Sequence, residues 1–117
     1  ILDVFQMKDL QAQCFDLGMD ALVEVHDEKE LEKALEAQSY LIGINNRNLN
    51  DFSMDLDTTF RLKKEIPADI PVVSESGIRD FIDIKRCADD GIAAVLVGET
   101  LMRAGSPKVA ISELMGR

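Results

Sequence analysis

The sequence predicts an α/β fold with one sheet of parallel strands, and three observations carry that prediction. Four short apolar runs recur along the chain, at residues 21–25, 40–44, 71–74 and 93–97. Amphipathic segments at helical spacing alternate with them, so the order reads α-β-α-β-α-β-α-β-α. The connections are too long for hairpins, which leaves parallel strands joined by right-handed crossovers. With 117 residues, 46% of them apolar and 30% charged, the chain has material for one domain with a real core.

Ile1 and Leu2 open the chain without a polar lead-in, as the remnant of a longer segment would. Met7, Leu10, Cys14 and Leu17 then recur on one helical face, and Gly18 is placed to end that helix in a left-handed conformation. After the strand at 21–25, Asp27 is a good N-cap. Glu28, Glu30 and Glu32 suit the first turns of the helix it starts, and Leu31, Ala34 and Leu35 form its apolar stripe. The strand at 40–44 leads into a polar loop over 45–53. Leu56, Phe60 and Ile66 mark a third helix, closed by Pro67.

The strand at 71–74 is followed by a helix at 80–88, with Phe81, Ile84 and Cys87/Ala88 on its buried side and Gly91 at its end. The strand at 93–97, a helical turn at 99–103 and a last helix at 107–115 with Pro107 in its first turn complete the chain. One corner occurs twice. Asp16-Leu17-Gly18-Met19 before Ala21-Leu22-Val23 matches Asp89-Asp90-Gly91-Ile92 before Ala94-Val95-Leu96, each a helix end, a glycine and a strand start.

Charge and composition exclude several function classes. A net charge of −9, from 13 Lys+Arg against 22 Asp+Glu, lacks the basic surface that nucleic acid requires. A small phosphate ester remains compatible, because backbone dipoles and one or two cations act locally. No apolar run approaches a membrane span and no basic-then-apolar leader opens the chain, so the default location is cytoplasmic. Cys14 and Cys87 lie on apolar helix faces, read as buried reduced thiols, and His26 has no metal-spaced companion, so no metal is expected.

This element order fits either a barrel or an open doubly wound sheet, and four strands are half of an eight-stranded barrel. The strand ends favour the barrel. Each one finishes in residues suited to a site: Glu24-Val25-His26, Asn45-Asn46-Arg47, Ser74-Glu75-Ser76-Gly77 and Gly98-Glu99-Thr100. An open sheet concentrates its site at a switch point, whereas a barrel mouth draws on every strand end.

Alternation gives Leu22, Glu24 and His26 one face of their strand, and Leu41, Gly43 and Asn45 one face of theirs, so Glu24 and Asn45 can project to the same side of a common sheet. A carboxylate flanked by Val23 and Val25 suits a general base or an electrostatic stabiliser, and suits equally a structural carboxylate paired with a cation. Arg47 fits a clamp for phosphate or carboxylate, or a plain loop arginine. Glu75, between two serines, is placed to bond a substrate hydroxyl or to hold a cation from elsewhere. Ser76-Gly77 and Gly98-Glu99 together form a candidate anion cradle, since barrel phosphate sites are often built after the last two strands beside a short extra helix. The Glu99 carboxylate is expected to point away from such an anion, leaving its N–H.

These residues resemble the indole-3-glycerol phosphate synthase family of the tryptophan pathway. The resemblance rests on Leu22-Val23-Glu24-Val25-His26-Asp27, Gly43-Ile44-Asn45-Asn46-Arg47-Asn48-Leu49, Val73-Ser74-Glu75-Ser76-Gly77-Ile78 and Leu96-Val97-Gly98-Glu99-Thr100-Leu101-Met102-Arg103, in the family's order. It implies the second half of a (βα)8 barrel, strands five to eight with their helices, so that residues 1–117 are one incomplete domain from the end of strand four to helix eight. It also implies ring closure of 1-(2-carboxyphenylamino)-1-deoxyribulose 5-phosphate, a small phosphorylated substrate, with loss of carbon dioxide and water and without metal or organic cofactor.

By position, the resemblance assigns Glu24 a general acid/base role and gives Asn45 and Arg47 contacts to the substrate and its intermediates. Glu75 and Ser76 match active-site residues, while Gly77, Gly98 and Glu99 match main-chain phosphate contacts. The family's catalytic lysines come from earlier strands. Here Lys8, Lys29, Lys33, Lys63, Lys64, Lys85 and Lys108 all fall on predicted helices, so the chain alone is expected to be inactive. Half a barrel leaves sheet edges and an apolar face open, which predicts self-association or pairing with another half-barrel. Rival readings are another phosphate-binding barrel, such as phosphoribosylanthranilate isomerase or a thiazole-phosphate synthase, and a non-catalytic half-barrel module. The Asn45-x-Arg47 pair argues against the first.

Overall fold

The computed structural model describes residues 2–117, so the reading of Ile1 as a remnant lies outside the described residues. Helices α1 (Val4–Asp16), α2 (Glu28–Glu36), α3 (Asp57–Lys63) and α4 (Phe81–Asp89) precede or separate strands β1 (Val23–Val25), β2 (Ile42–Asn45), β3 (Val72–Glu75) and β4 (Ala94–Leu96). The short α5 (Glu99–Arg103) and α6 (Pro107–Leu114) follow. All pairings are parallel and the spatial order β1-β2-β3-β4 repeats the chain order, the arrangement of consecutive barrel strands. The chain is therefore an α/β half-barrel.

Local chemistry fixes the helix ends. Asp27 and Asp80 accept from the backbone N–H three residues on, as N-caps do. The repeated corner at Gly18 and Gly91 is real: both residues are left-handed, at φ +73° and +76°, and both close a Schellman motif, with Met19 N donating to Cys14 O and Ile92 N to Cys87 O at 2.9 Å. The same motif ends α2 at Gln38, φ +58°, where no glycine signals it.

The first three strands lie toward the C-terminal side of their predicted ranges, and β4 lies within its own. Tyr40 is not a strand residue. Its hydroxyl accepts from Ala21 N at 3.1 Å and closes the lower end of the sheet, and the ladder begins only where Val23 meets Ile42 and Ile42 meets Val72. The third helix also stops short of its predicted end, at Lys63, with Ile66 buried beyond it.

The two faces of the sheet differ sharply. Val25, Ile42, Ile44 and Val72 are almost solvent-free beneath the helices, packed with Leu31, Ala34, Leu62 and Cys87. The other face carries Glu24, Gly43, Val73 and Ala94 in one row and Asn45, Glu75 and Leu96 in the next. That face is partly open: Leu22 and Leu96 are exposed.

Three expectations of burial fail for related reasons. α1 has no buried residue, with Leu10 and Leu17 exposed and Cys14 only half-buried, because it packs at the open edge of the sheet beside α2. Phe81 is exposed, its ring lying against Gly116 rather than in the core, and Asp83 takes the inward position instead. Ala88 also faces outward.

Burial decides which substitutions matter. Leu62→Ala, at a fully buried site, is expected to destabilise the chain by about 2–5 kcal/mol. Ile82→Ala, on the exposed side of α4, should fall within about 0.5 kcal/mol. Urea unfolding of the two variants checks this, and equal losses would contradict the one-sided core.

Candidate functional site

The upper row of the open face brings together side chains that sequence alternation placed on one side. Asn45 Nδ2 donates to Glu24 Oε1 at 3.1 Å, joining the ends of β1 and β2. Glu75 reaches the same place by crossing Gly43. A Cβ built on Gly43 would stand 2.5 Å from Glu75 Oε1 and 2.9 Å from its Cδ, so the absent side chain makes the path.

Glu75 is buried, and its pKa is raised to about 7, first by loss of solvent, then by the hydrogen bond with Glu24 and that neighbour's charge. His26 acts in the opposite sense. Near neutral pH, Glu75 therefore holds a proton part of the time beside a second carboxyl group. Such a pair can deliver or accept a proton.

His26, which alternation places on the strand face of Glu24, touches this pair. Its Nδ1 lies 3.0 Å from Glu30 Oε2, and its backbone N donates to the same oxygen at 2.9 Å. Its Nε2 stands 3.2 Å from Glu24 Oε1.

Below the turn that follows β3 lies a residue the sequence reading passed over. Asn46 is buried, and its Nδ2 donates to Ser74 Oγ at 3.1 Å and to Ser76 O at 3.0 Å. Its Oδ1 accepts from Thr59 N at 3.1 Å and from Thr59 Oγ1 at 2.8 Å. Ser76 is left-handed, φ +67°, a conformation that costs a non-glycine residue about 1–3 kcal/mol. The Asn46 bond to its carbonyl holds it there. The available signal was an asparagine at a core-facing position of a strand end, where an apolar residue is usual.

Next to this turn, Thr100 Oγ1 donates to Ile78 O at 2.6 Å and draws the start of α5 against the end of β3. Ser76, Gly77, Gly98, Glu99, Arg47 and Arg103 thus line one cleft of about 830 Å³. Arg47 is not free: its Nη2 lies 2.7 Å from Glu99 Oε2, and Arg103 Nη2 lies 2.8 Å from Glu99 Oε1. The Glu99 carboxylate turns into this cleft toward its arginines. No lysine lines it among the described residues, and no group of three or more His, Cys, Asp or Glu among them is placed to hold a metal.

The structure brings the sequence-derived residues together in two places. Glu24, Asn45 and Glu75 meet over Gly43, while Arg47, Ser76, Gly77, Gly98 and Glu99 share the adjoining cleft, with Asn45 bordering both. Both lie at the C-terminal edge of the parallel strands, where barrels place their sites.

Comparison with known proteins gives the chain a family and a fold. The family model for indole-3-glycerol phosphate synthase matches residues 1–114. A relative described as indole-3-glycerol phosphate synthase from Desulfotalea psychrophila is 54% identical over 114 residues, which cover 97% of this chain and 44% of the relative. One from Polaromonas naphthalenivorans is 55% identical over 115 residues, 98% of this chain and 44% of its own. The chain thus spans less than half the length of these relatives. A solved structure described as native KDPGal superposes with a TM-score of 0.66 at 21% identity, covering 97% of this chain and 51% of its own, which supports the fold alone.

The raised Glu75 makes a signed prediction. Its contribution to stability is full below 4.5, the ordinary glutamate value that the unfolded chain has, and is lost as pH rises through about 7. Glu75→Gln removes that loss. Between pH 4.5 and 8 the wild-type chain should lose up to about 3 kcal/mol relative to the variant. Urea unfolding at the two pH values measures it, and parallel pH dependence would contradict the buried pair.

Proposed function

Because the chain belongs to the indole-3-glycerol phosphate synthase family, we propose that it is the second half of such a synthase barrel, from the end of strand four to helix eight. In the complete protein it closes the ring of 1-(2-carboxyphenylamino)-1-deoxyribulose 5-phosphate, with loss of carbon dioxide and water. The observation that carries this reading is the meeting of Glu24, Asn45 and Glu75 over Gly43, beside a cleft lined by Arg47 and two glycine turns.

The chemistry asks for groups of this kind. Closing the ring adds the carboxylate-bearing aromatic carbon to a ketone, the oxygen so formed must gain a proton, and the bond to the carboxylate then breaks, returning its electron pair to the ring as carbon dioxide leaves. Loss of water then requires a proton on the departing hydroxyl and a base for the ring hydrogen. Glu75, half-protonated near neutrality, is suited to give one, and Glu24, held by Asn45, to take one. Ser76 borders the reacting part of the substrate. The main chain of Gly77, Gly98 and Glu99 receives the phosphate, and Arg47 exchanges the Glu99 carboxylate for a substrate anion. The lysines that the family takes from its earlier strands have no counterpart at these strand ends, where every lysine lies on or next to a helix. The free thiols Cys14 and Cys87 suit a reducing, cytoplasmic compartment.

The open face and the two unpaired edges, β1 and β4, call for a covering partner. We place the missing half-barrel there. The purified 117-residue chain is expected to sediment as an associated species and to release no carbon dioxide from the substrate. Joined to the missing half it should do so, with kcat falling about 10²-fold on Glu24→Gln. A monodisperse monomer, turnover by the chain alone, or an unaffected Glu24→Gln enzyme would each sink the corresponding part of the reading.

A further inference from the structure

The histidine beside the acid/base pair has a place that the proposed chemistry does not use. Asp27 caps α2 by accepting from Glu30 N at 2.8 Å, which fixes Glu30 in the first turn. Glu30 then reaches back along the chain and receives both the backbone N–H of His26, at 2.9 Å, and its ring Nδ1, at 3.0 Å. The arrangement extends the reach-back of a capping box by one residue. Two bonds to one oxygen leave the imidazole little freedom.

The opposite nitrogen is the one left over. Nε2 is buried and has no hydrogen-bond partner among the described residues, yet it lies 3.2 Å from Glu24 Oε1. The distance is that of a bond and only the angle is short of one. A buried polar atom without a partner is costly, and a small turn of the Glu24 carboxylate removes the cost. Both neighbours of the ring are carboxylates, which accept only, so the ring satisfies both when it donates from each nitrogen.

We propose that His26 is a positioning residue for Glu24, donating from Nε2 to its carboxylate and holding it toward Asn45 and Glu75 on a mount built from Asp27 and Glu30. The proposal rests on the synthase reading for its effect on turnover. Helix α2 thereby sets the orientation of an acid/base group on β1.

Two isosteric substitutions separate this role from a purely structural one. In a complete synthase barrel carrying this segment, His26→Gln places an amide nitrogen near the Nε2 position, and His26→Asn places one near Nδ1. The Gln variant is expected to keep kcat within about threefold, and the Asn variant to lose at least about tenfold in kcat with KM little changed, a difference of about 1.4 kcal/mol in the barrier. Nitrogen-15 spectra of the same barrel should show a proton on Nε2 whose resonance moves on Glu24→Gln. Equal losses in the two variants, the reverse order, or an Nε2 without a proton would overturn the proposal. An unmutated barrel that fails to turn over the substrate would instead overturn the synthase reading, and the spectra would still decide the contact.

Discussion

The upper end of this half-barrel depends on one buried amide. Asn46 spends each of its side-chain groups on a different element: a strand hydroxyl in β3, the carbonyl of the turn beyond it, and the backbone and side chain of Thr59 in α3. Ser74 and Thr59 also bond each other at 2.7 Å, so the network closes on itself. A closed polar network in a dry interior is rigid, since every alternative arrangement strands a donor or acceptor. What it fixes is the left-handed Ser76. With Ser76 held, the chain turns at Gly77 toward the cleft rather than continuing along the strand, and Thr100 can bring Gly98 alongside.

The register makes the second constraint. Glu24 faces Gly43 across one pairing and Asn45 faces Glu75 across the next, so the two carboxylates are not direct neighbours in the ladder. They meet only because position 43 has no side chain. Any other residue there would put a carbon within 2.5 Å of the Glu75 oxygen. Glycine in a strand weakens it by lost packing and added chain entropy. Here that weakness is the condition for the Glu75 carboxyl group to lie across the strand toward Glu24.

Much of this was legible in the sequence because it follows from period and from end chemistry. The Asp27 cap and the left-handed Gly18 and Gly91 depend on residues within a turn or two of each other, and the parallel pairing follows from the alternation of strands with long helical connections. So does the common side of Glu24 and Asn45. What was not legible depends on distant partners. Alternation puts Asn46 on the opposite face from Asn45, but nothing local names the Ser74, Ser76 and Thr59 groups that it binds. The His26 ring gains meaning only from Glu30, one turn into the next helix, and from Glu24 on its own strand face. Phe81 looks like a core residue by hydrophobicity, but the cap at Asp80 and the inward Asp83 rotate it out.

The division between what is made and what is left open follows from where the contacts run. Glu24, His26, Glu30, Asn45, Asn46 and Glu75 are bound to one another by bonds that stay within β1, β2, β3 and the helices packed behind them. That wall can therefore keep its shape whatever lies opposite. The cationic cleft differs. Arg47 is pulled across it by Glu99, with Arg103 on the other oxygen, and a carboxylate between two guanidinium groups is already a satisfied anion site. An incoming phosphate must compete with an internal acid, at a partly exposed pair whose strength salt will weaken. The proton-handling side is thus set by hydrogen bonds around a buried Glu75, and the anion-holding side by exchangeable ion pairs.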